Sequence, residues 1–251
     1  MNPELNHSHD PVAIRRRLAE GNRPSYLPDA ILGGIDGCIT TLAVVASVAG
    51  AGLPGVVAFV LGVASLIADA FSMGVSNYQA VKASDDERRR LRAQEIHHVA
   101  VDPDGEQEEI RAIFEAKGFR GGALENIVET ITSDRRLWVD TMLMEEYGVA
   151  LTGPSASKAG LATFATFMAV GSIPLLPFLV PVFTGAEYFV ASAIITAMAL
   201  FGIGYAKGVI LSMKRWRAGF ETLLMGGGAA IVAFLIGTVL EPMLADLPLL
   251  D

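Results

Sequence analysis

Long stretches of this chain contain no charged residue, and they constrain its fold more than any other feature. Asp, Glu, Lys and Arg are absent from residues 37–68, 159–186, 188–206 and 222–240. A helix needs about 20 mostly apolar residues to cross about 30 Å of hydrocarbon, and its backbone groups must be paired internally because lipid offers no partners. We therefore predict an all-α integral membrane protein. Its five spans lie near residues 30–50, 55–80, 159–180, 188–206 and 218–240.

The composition excludes several classes of protein. Hydrophobic residues make up 52% of the chain and charged residues only 18%, against roughly a quarter charged in soluble domains. The formal net charge of −8 argues against a nucleic-acid partner. A single cysteine excludes an internal disulfide framework and a Cys-based zinc cluster.

The basic residues predict the orientation of the chain in its membrane. Every Lys and Arg lies in the N-terminal tail, in residues 82–158 or in residues 207–217. The positive-inside rule places these segments in the cytoplasm and the C-terminus outside. The polar N-terminal segment has no apolar core and is not expected to be a signal peptide. The predicted units are a cytoplasmic tail (1–28), spans one and two (29–81), a cytoplasmic helical domain (82–157), spans three to five (158–243) and an extracytoplasmic tail (244–251).

The polar segment between the second and third spans is predicted to form three helices. The second span continues without a breaker to about His98, and a second helix covers about 106–117 before Gly118, a typical helix stop. A third covers about 122–147, with a break near 133–134 left open. Apolar residues at helical spacing form the core-facing positions. These are Ile110, Ile113, Phe114, Leu124, Ile127 and Ile131.

Two carboxylates lie inside predicted spans, Asp36 in the first and Asp69 in the second. A charge at bilayer depth costs at least about 2.5–3.5 kcal/mol, so such residues are functional candidates. Asp69 belongs to a polar stripe at helical spacing that also contains Ser65, Ser72, Met73 and Ser76. We predict that Asp36, Asp69 and Met73 share a cation path in the cytoplasmic half of the membrane. The alternative is that both acids are neutral and serve only in helix packing.

Three pairs of potential metal ligands lie in the polar segment, one on each predicted helix. Their members are separated by three or four residues and so share a helix face. Carboxylates, an imidazole and a thioether together suit a divalent transition metal such as Fe²⁺ better than Mg²⁺ or Ca²⁺. The alternative for each pair is an ordinary solvated helix face. The pairs are Glu95 with His98, Glu106 with Glu109, and Met142 with Glu146.

An ordered set of motifs resembles the vacuolar iron transporter family over about residues 28–243. The motifs are Asp29 to Gly37 in the first span, Ser72-Met73-Gly74 with Tyr78 in the second, Gly105 to Ile110, Met142 to Gly148, and Gly171 to Pro177. The resemblance implies a homodimer of five-span subunits, not an enzyme, with a cytoplasmic metal-binding domain. It implies proton-coupled export of Fe²⁺, and of other divalent metals such as Mn²⁺ or Zn²⁺, as substrates without a prosthetic group.

Carried over by position, the resemblance assigns Asp36 and Met73 to the membrane path. It assigns Glu95, Glu106, Glu109, Met142 and Glu146 to the cytoplasmic metal ligands. The chain departs from the family pattern at His98, usually Glu, at Leu143, often a second Met, at Ser65, a membrane Glu in some members, and at Asn77, usually Gly or Glu.

Two rival functions follow from these residues. His98 adds a nitrogen ligand, which suits an exporter of Mn²⁺ or Zn²⁺. Glu95-x-x-His98 also matches half of the di-iron motif of ferritin-like oxidases, but such a site needs a second Glu-x-x-His. We expect a prokaryotic cytoplasmic membrane rather than a vacuole as the host.

Overall fold

The computed structural model describes residues 9–20, 24–180, 182–183 and 185–245, and every regular element in these ranges is helical. Most of the predicted extracytoplasmic tail (244–251) and parts of the N-terminal tail lie outside the described residues. The α-helices are α1 (Pro11–Glu20), α2 (Leu27–Gly50), α3 (Gly55–Val101), α4 (Pro103–Ala116), α5 (Gly121–Thr132), α6 (Arg135–Glu145), α7 (Ala156–Gly171), α8 (Glu187–Ile210) and α9 (Arg215–Ala245).

Five helical segments are long and apolar enough to cross a membrane, which confirms the five predicted spans. The third combines α7 with a 3₁₀ helix, Ile173–Leu179. Pro174 and Pro177 lack the backbone N–H that an α-helix requires, so the chain tightens there instead of continuing α7.

Helix α2 lies at the centre of the bundle and packs against α3, α7, α8 and α9. Its contact with α7 depends on glycine. A Cβ at Gly33 would collide with the carbonyl oxygen of Thr163, and one at Gly37 would lie 2.6 Å from that of Phe167. The glycines near Asp36 therefore bring two helix backbones together, as small residues do in membrane bundles.

Helix α3 is one continuous helix of 47 residues, about 70 Å long at 1.5 Å per residue, and its second half extends beyond the membrane bundle. Its polar half packs with α4, α5 and α6 around one apolar cluster, and we call this unit the polar domain. The cluster buries Ile110, Leu124 and Ile131, with Ile113, Phe114 and Ile127 partly buried against it, as the helical spacing predicts.

The last helix predicted for this domain is two helices in the structure. The break lies at Ser133 and Asp134, where the Asp134 carboxylate accepts hydrogen bonds from the backbone N–H groups of Arg136 (2.8 Å) and Leu137 (3.3 Å). Those donors have no partner inside a helix, so the carboxylate stabilises a new helix start. The polar domain thus has three helices besides the extension of α3.

Candidate metal centre and membrane path

The turn between α3 and α4 brings together potential metal ligands that lie on two different helices. Asp102 ends α3 and caps α4, its carboxylate accepting a hydrogen bond of 3.1 Å from the N–H of Gly105. Pro103 begins α4, a position where its missing N–H costs nothing. The first turn of α4 therefore lies directly against the last turn of α3, which carries His98.

Glu95, His98 and Glu106 form a compact cluster whose ligand atoms lie within 4.8 Å of one another. Nδ1 of His98 is 3.4 Å from Oε1 of Glu95 and 3.3 Å from Oε1 of Glu106. Ligand–metal bonds to a divalent ion are about 2.0–2.2 Å long, so small side-chain rotations would bring all three onto one ion. The structure thus brings both members of the first predicted pair together with Glu106, one member of the second.

Burial makes this cluster chemically unusual. Glu95 is fully buried on the inward face of α3 between Leu91 and Val99, and Glu106 is 6% exposed. Oε2 of Glu95 and Oε2 of Glu106 have no hydrogen-bond partner in the described residues. Unpaired buried carboxylate oxygens are costly, and a cation bound between them would satisfy both at once.

Nearby carboxylates add to the negative field of the cluster. Burial, together with the charges of Glu95 and Glu109, raises the pKa of Glu106 from 4.5 to about 7, opposed by His98. Burial and the charges of Glu95 and Glu109 also raise the pKa of Glu146. The exposed Glu109 and Glu146 are therefore close enough to act on any ion held here.

Tyr147 is a part of this centre that sequence reasoning missed. Its hydroxyl donates a hydrogen bond of 2.9 Å to Oε1 of Glu95 and accepts one of 3.4 Å from the side-chain amide of Gln94. Burial and the bond to Glu95 raise the pKa of Tyr147, so it stays a donor. The sequence feature that could have indicated this role is its position directly after the predicted ligand Glu146.

The structure places Met142 in the apolar core of the polar domain. It is fully buried there, as is its neighbour Leu143. Met142 therefore lies on the dry side of the domain, whereas Glu146, one turn later, is exposed. The two members of this predicted pair are not equivalent in exposure.

In the membrane part, Asp36 and Asp69 lie on neighbouring helices and are both partly buried. Ser65 donates a hydrogen bond of 2.5 Å to Oδ2 of Asp69, so the serine orients this acid. Met73, one turn from Asp69, is partly buried and packs against the cluster that contains Phe167.

Comparisons with known proteins decide the family. The family model described as "VIT family" matches residues 27–238. The chain belongs to the VIT family. It is 31% identical to Vacuolar iron transporter 1 of Arabidopsis thaliana over 85% of each chain. It is 30% identical to the Vacuolar iron transporter of Toxoplasma gondii over 86% of this chain and 74% of the relative, and 30% identical to that of Plasmodium berghei over 88% and 84%. These VIT relatives are named as transporters, in agreement with the expectation of a non-enzyme.

A second feature that was not predicted from the sequence is a set of hydrogen bonds that connects three helices of this VIT-family bundle. The side-chain amide of Asn77 on α3 donates to Oδ1 of Asp29 on α2 (2.7 Å) and to the hydroxyl of Thr163 on α7 (2.8 Å). Thr163 in turn donates to the backbone carbonyl of Asp29 at 3.2 Å. Asn77 had stood out only as a departure from the family pattern.

Proposed function

We propose that this protein exports Fe²⁺ from the cytoplasm in exchange for protons, and that it also carries other divalent metals. The observation that carries the proposal is the cluster of Glu95, His98 and Glu106, in which two buried carboxylate oxygens have no hydrogen-bond partner in the described part of the chain. Glu95 and His98 lie on α3, the helix that continues into the membrane. The Arabidopsis, Toxoplasma and Plasmodium relatives are named vacuolar iron transporters.

In the proposed first step the polar domain gathers the ion from solution. Carboxylates that repel one another when empty are stabilised by a divalent cation, and the imidazole of His98 selects a transition metal. Glu109 and Glu146 attract the ion at the exposed side, and Met142 offers its thioether from the buried side.

The second proposed step takes place in the membrane. Glu95 and Asp69 are 26 residues apart on α3, or about 39 Å along the helix axis. The polar domain and the membrane acids therefore form two separate binding sites, and the ion must move from one to the other. At the membrane site Asp36 and Asp69 bind either the metal or protons, because both cations compete for the same carboxylate oxygens. Met73 adds a soft thioether ligand there. This competition couples the two fluxes.

The exposed face of α3 supports a homodimer. Ser72 and Ser76 are exposed at membrane depth beside Ile67, Phe71 and Val75. Polar side chains facing lipid gain no partners there, whereas a second copy of the chain can supply them. We therefore propose that two subunits meet along this face of α3, next to Asp69.

The location proposed is a prokaryotic cytoplasmic membrane. The N-terminal tail and the polar domain lie on the cytoplasmic side, because that arrangement keeps all Lys and Arg residues there. In this orientation the polar domain is in direct contact with the metal ions of the cytoplasm.

Metal uptake into liposomes tests the proposal. The purified protein, reconstituted with a pH gradient, takes up Fe²⁺ presented on the side of the polar domain, and Asp36→Ala abolishes uptake. Asp86→Ala, which removes an exposed acid from the polar half of α3, is the matched control and retains uptake. Equal uptake by Asp36→Ala and the parent would reject the proposed path.

An exporter of Zn²⁺ or Mn²⁺ is the second candidate, and His98 favours it. An imidazole among carboxylates strengthens Zn²⁺ binding more than Mn²⁺ binding. Competition of each metal against Fe²⁺ in the same uptake assay distinguishes the substrates.

A further inference from the structure

A groove of about 550 Å³ along the membrane part of α2 contains two charged side chains of opposite sign. They are Asp36 of α2 and Lys207 of α8, and the other residues that line the groove are apolar. Sequence analysis used Lys207 only for orientation, and the proposed transport mechanism does not use it. The apolar lining residues are Leu27, Pro28, Ile31, Leu32, Ile35, Ile39 and Leu211.

The two charges lie about one helical turn apart in depth. Ile39 of α2 and Leu200 of α8 mark a common level, because a Cβ added to Gly226 would meet both side chains. From that level Asp36 is three residues towards the start of α2, and Lys207 is seven residues towards the end of α8. Both helix ends border the groove. At 1.5 Å per residue, Lys207 is therefore about 6 Å nearer to the membrane surface than Asp36.

The side chain of Lys207 is suited to bridging this offset. Its ammonium is carried on a flexible four-carbon stem, and bonds of about 1.5 Å give an extended lysine side chain a length of roughly 6 Å. Lys207 is partly buried, and it takes part in none of the ion pairs formed within the part of the chain that the structure describes. Rotation about its own bonds can therefore bring the ammonium to the carboxylate of Asp36 without any movement of the helices.

The walls of the groove favour such a contact. Each charge by itself is costly among apolar side chains and lipid, and apolar surroundings screen the attraction between opposite charges less than water does. An ion pair between Lys207 and an empty, ionised Asp36 lowers both costs at once. The pairing leaves the ligands of the polar domain unaffected, because they lie far along α3.

We propose that Lys207 competes with the transported metal for Asp36, an inference that rests on the proposed function of Asp36 in the membrane path. When Asp36 holds neither a metal ion nor a proton, the ammonium of Lys207 binds its carboxylate. An arriving divalent cation displaces the ammonium, which returns to the surface end of the groove. The lysine thereby weakens metal binding at the membrane site and favours release of the metal.

Transport kinetics in proteoliposomes provide the first test. Lys207→Gln keeps a polar side chain but removes the competing charge, so the KM for Fe²⁺ should fall by about fivefold, the factor that corresponds to about 1 kcal/mol of ion pairing. Lys207→Arg keeps the charge and should retain the parental KM. Lys214→Gln is the matched control, because it removes a nearby exposed lysine that does not line the groove, and its KM should equal that of the parent.

Amine labelling of the full-length protein provides a second, direct test. A membrane-permeant succinimidyl ester reacts with a free amine, and peptide mass spectrometry reports the rate at each lysine. Lys207 should react slowly in the metal-free parent and several times faster when Fe²⁺ is added under anaerobic conditions. In Asp36→Asn it should react fast with or without Fe²⁺. Lys214 should react at one rate throughout.

The two tests separate this inference from the proposed function. Equal Fe²⁺ uptake by Asp36→Ala and the parent would reject the proposed function, and this inference with it. Uptake that depends on Asp36 but has the same KM in Lys207→Gln and the parent would overturn the inference alone. Labelling of Lys207 that responds neither to Fe²⁺ nor to Asp36→Asn would also overturn it, because the ammonium would then remain at the membrane surface.

Discussion

The hydroxyl of Tyr147 donates a hydrogen bond to Oε1 of Glu95 at 2.9 Å, and Oε2 of the same carboxylate has no hydrogen-bond partner among the residues that the structure describes. Glu95 is thereby held in one orientation, with a free oxygen in the cluster that contains His98 and Glu106. Groups that orient a metal ligand in this way contribute to metal affinity although they do not touch the ion.

Tyr147→Phe should therefore weaken metal binding without unfolding the polar domain. Loss of such an orienting hydrogen bond lowers metal affinity by about tenfold or more, whereas its net effect on folding is about 1 kcal/mol. Isothermal titration with Fe²⁺ under anaerobic conditions measures the change. Tyr205→Phe, at the distant end of α8, is the matched control and leaves the affinity unchanged. Parent-like affinity in Tyr147→Phe would show that the tyrosine does not position Glu95.

Glu106 makes the stability of the metal-free protein depend on pH. Its pKa is raised from 4.5 to about 7 by burial and by neighbouring carboxylates. Below pH 4.5 the group is protonated in both the folded and unfolded states. As pH rises towards 7, only the unfolded state readily loses the proton, so this contribution to stability declines and is gone above the folded pKa.

Unfolding of the metal-free protein across this pH range measures the effect. Glu106→Gln should flatten the decline, whereas Glu129→Gln, an exposed acid on α5, should leave it intact. A decline of equal slope in Glu106→Gln and the parent would assign the pH dependence to other groups.

The spans could be predicted from sequence because lipid imposes simple rules. Long uncharged runs depend only on local composition, and they located all five candidate membrane-spanning helices. The pairing of Glu95 with His98 was also local, since three residues on a helix lie on one face.

Features that depend on which helices pack against each other could not be predicted from sequence in the same way. Asn77 contacts Asp29 and Thr163, which are 48 and 86 residues away. The burial of Met142 depends on how α6 packs against its neighbours. The break at Asp134, which the sequence left open, is local: it depends on a side-chain cap that competes with helix continuation, and the hydrophobic period alone does not decide between the two.

His98 should set the metal preference of the polar domain. His98→Glu replaces a nitrogen ligand with oxygen, so Zn²⁺ affinity should fall by roughly tenfold relative to Mn²⁺ affinity. Competition titrations with both metals measure the ratio. His97→Glu adds the same charge at an exposed neighbouring position and should leave the ratio unchanged. An equal change in both variants would mean that the added charge, not ligand identity, controls preference.

The contact between α2 and α7 should be intolerant of a single added methyl group. Gly33→Ala places a Cβ against the carbonyl oxygen of Thr163, and such overpacking costs about 1–3 kcal/mol. Gly228→Ala is the matched control, because nothing lies within 4 Å of a Cβ there and alanine favours a helix. Thermal unfolding in detergent should show a lower midpoint only for Gly33→Ala. Equal midpoints would contradict the close packing of α2 on α7.

The most direct test of the account is simultaneous measurement of Fe²⁺ and proton movement in the same proteoliposomes. We predict that Fe²⁺ entry from the side of the polar domain is accompanied by proton exit and stops when the pH gradient is collapsed. Asp36→Asn should lose both fluxes while still binding Fe²⁺ at the polar domain. Fe²⁺ entry that is unaffected by collapse of the gradient, or a parent-like flux in Asp36→Asn, would contradict the proposed exchange.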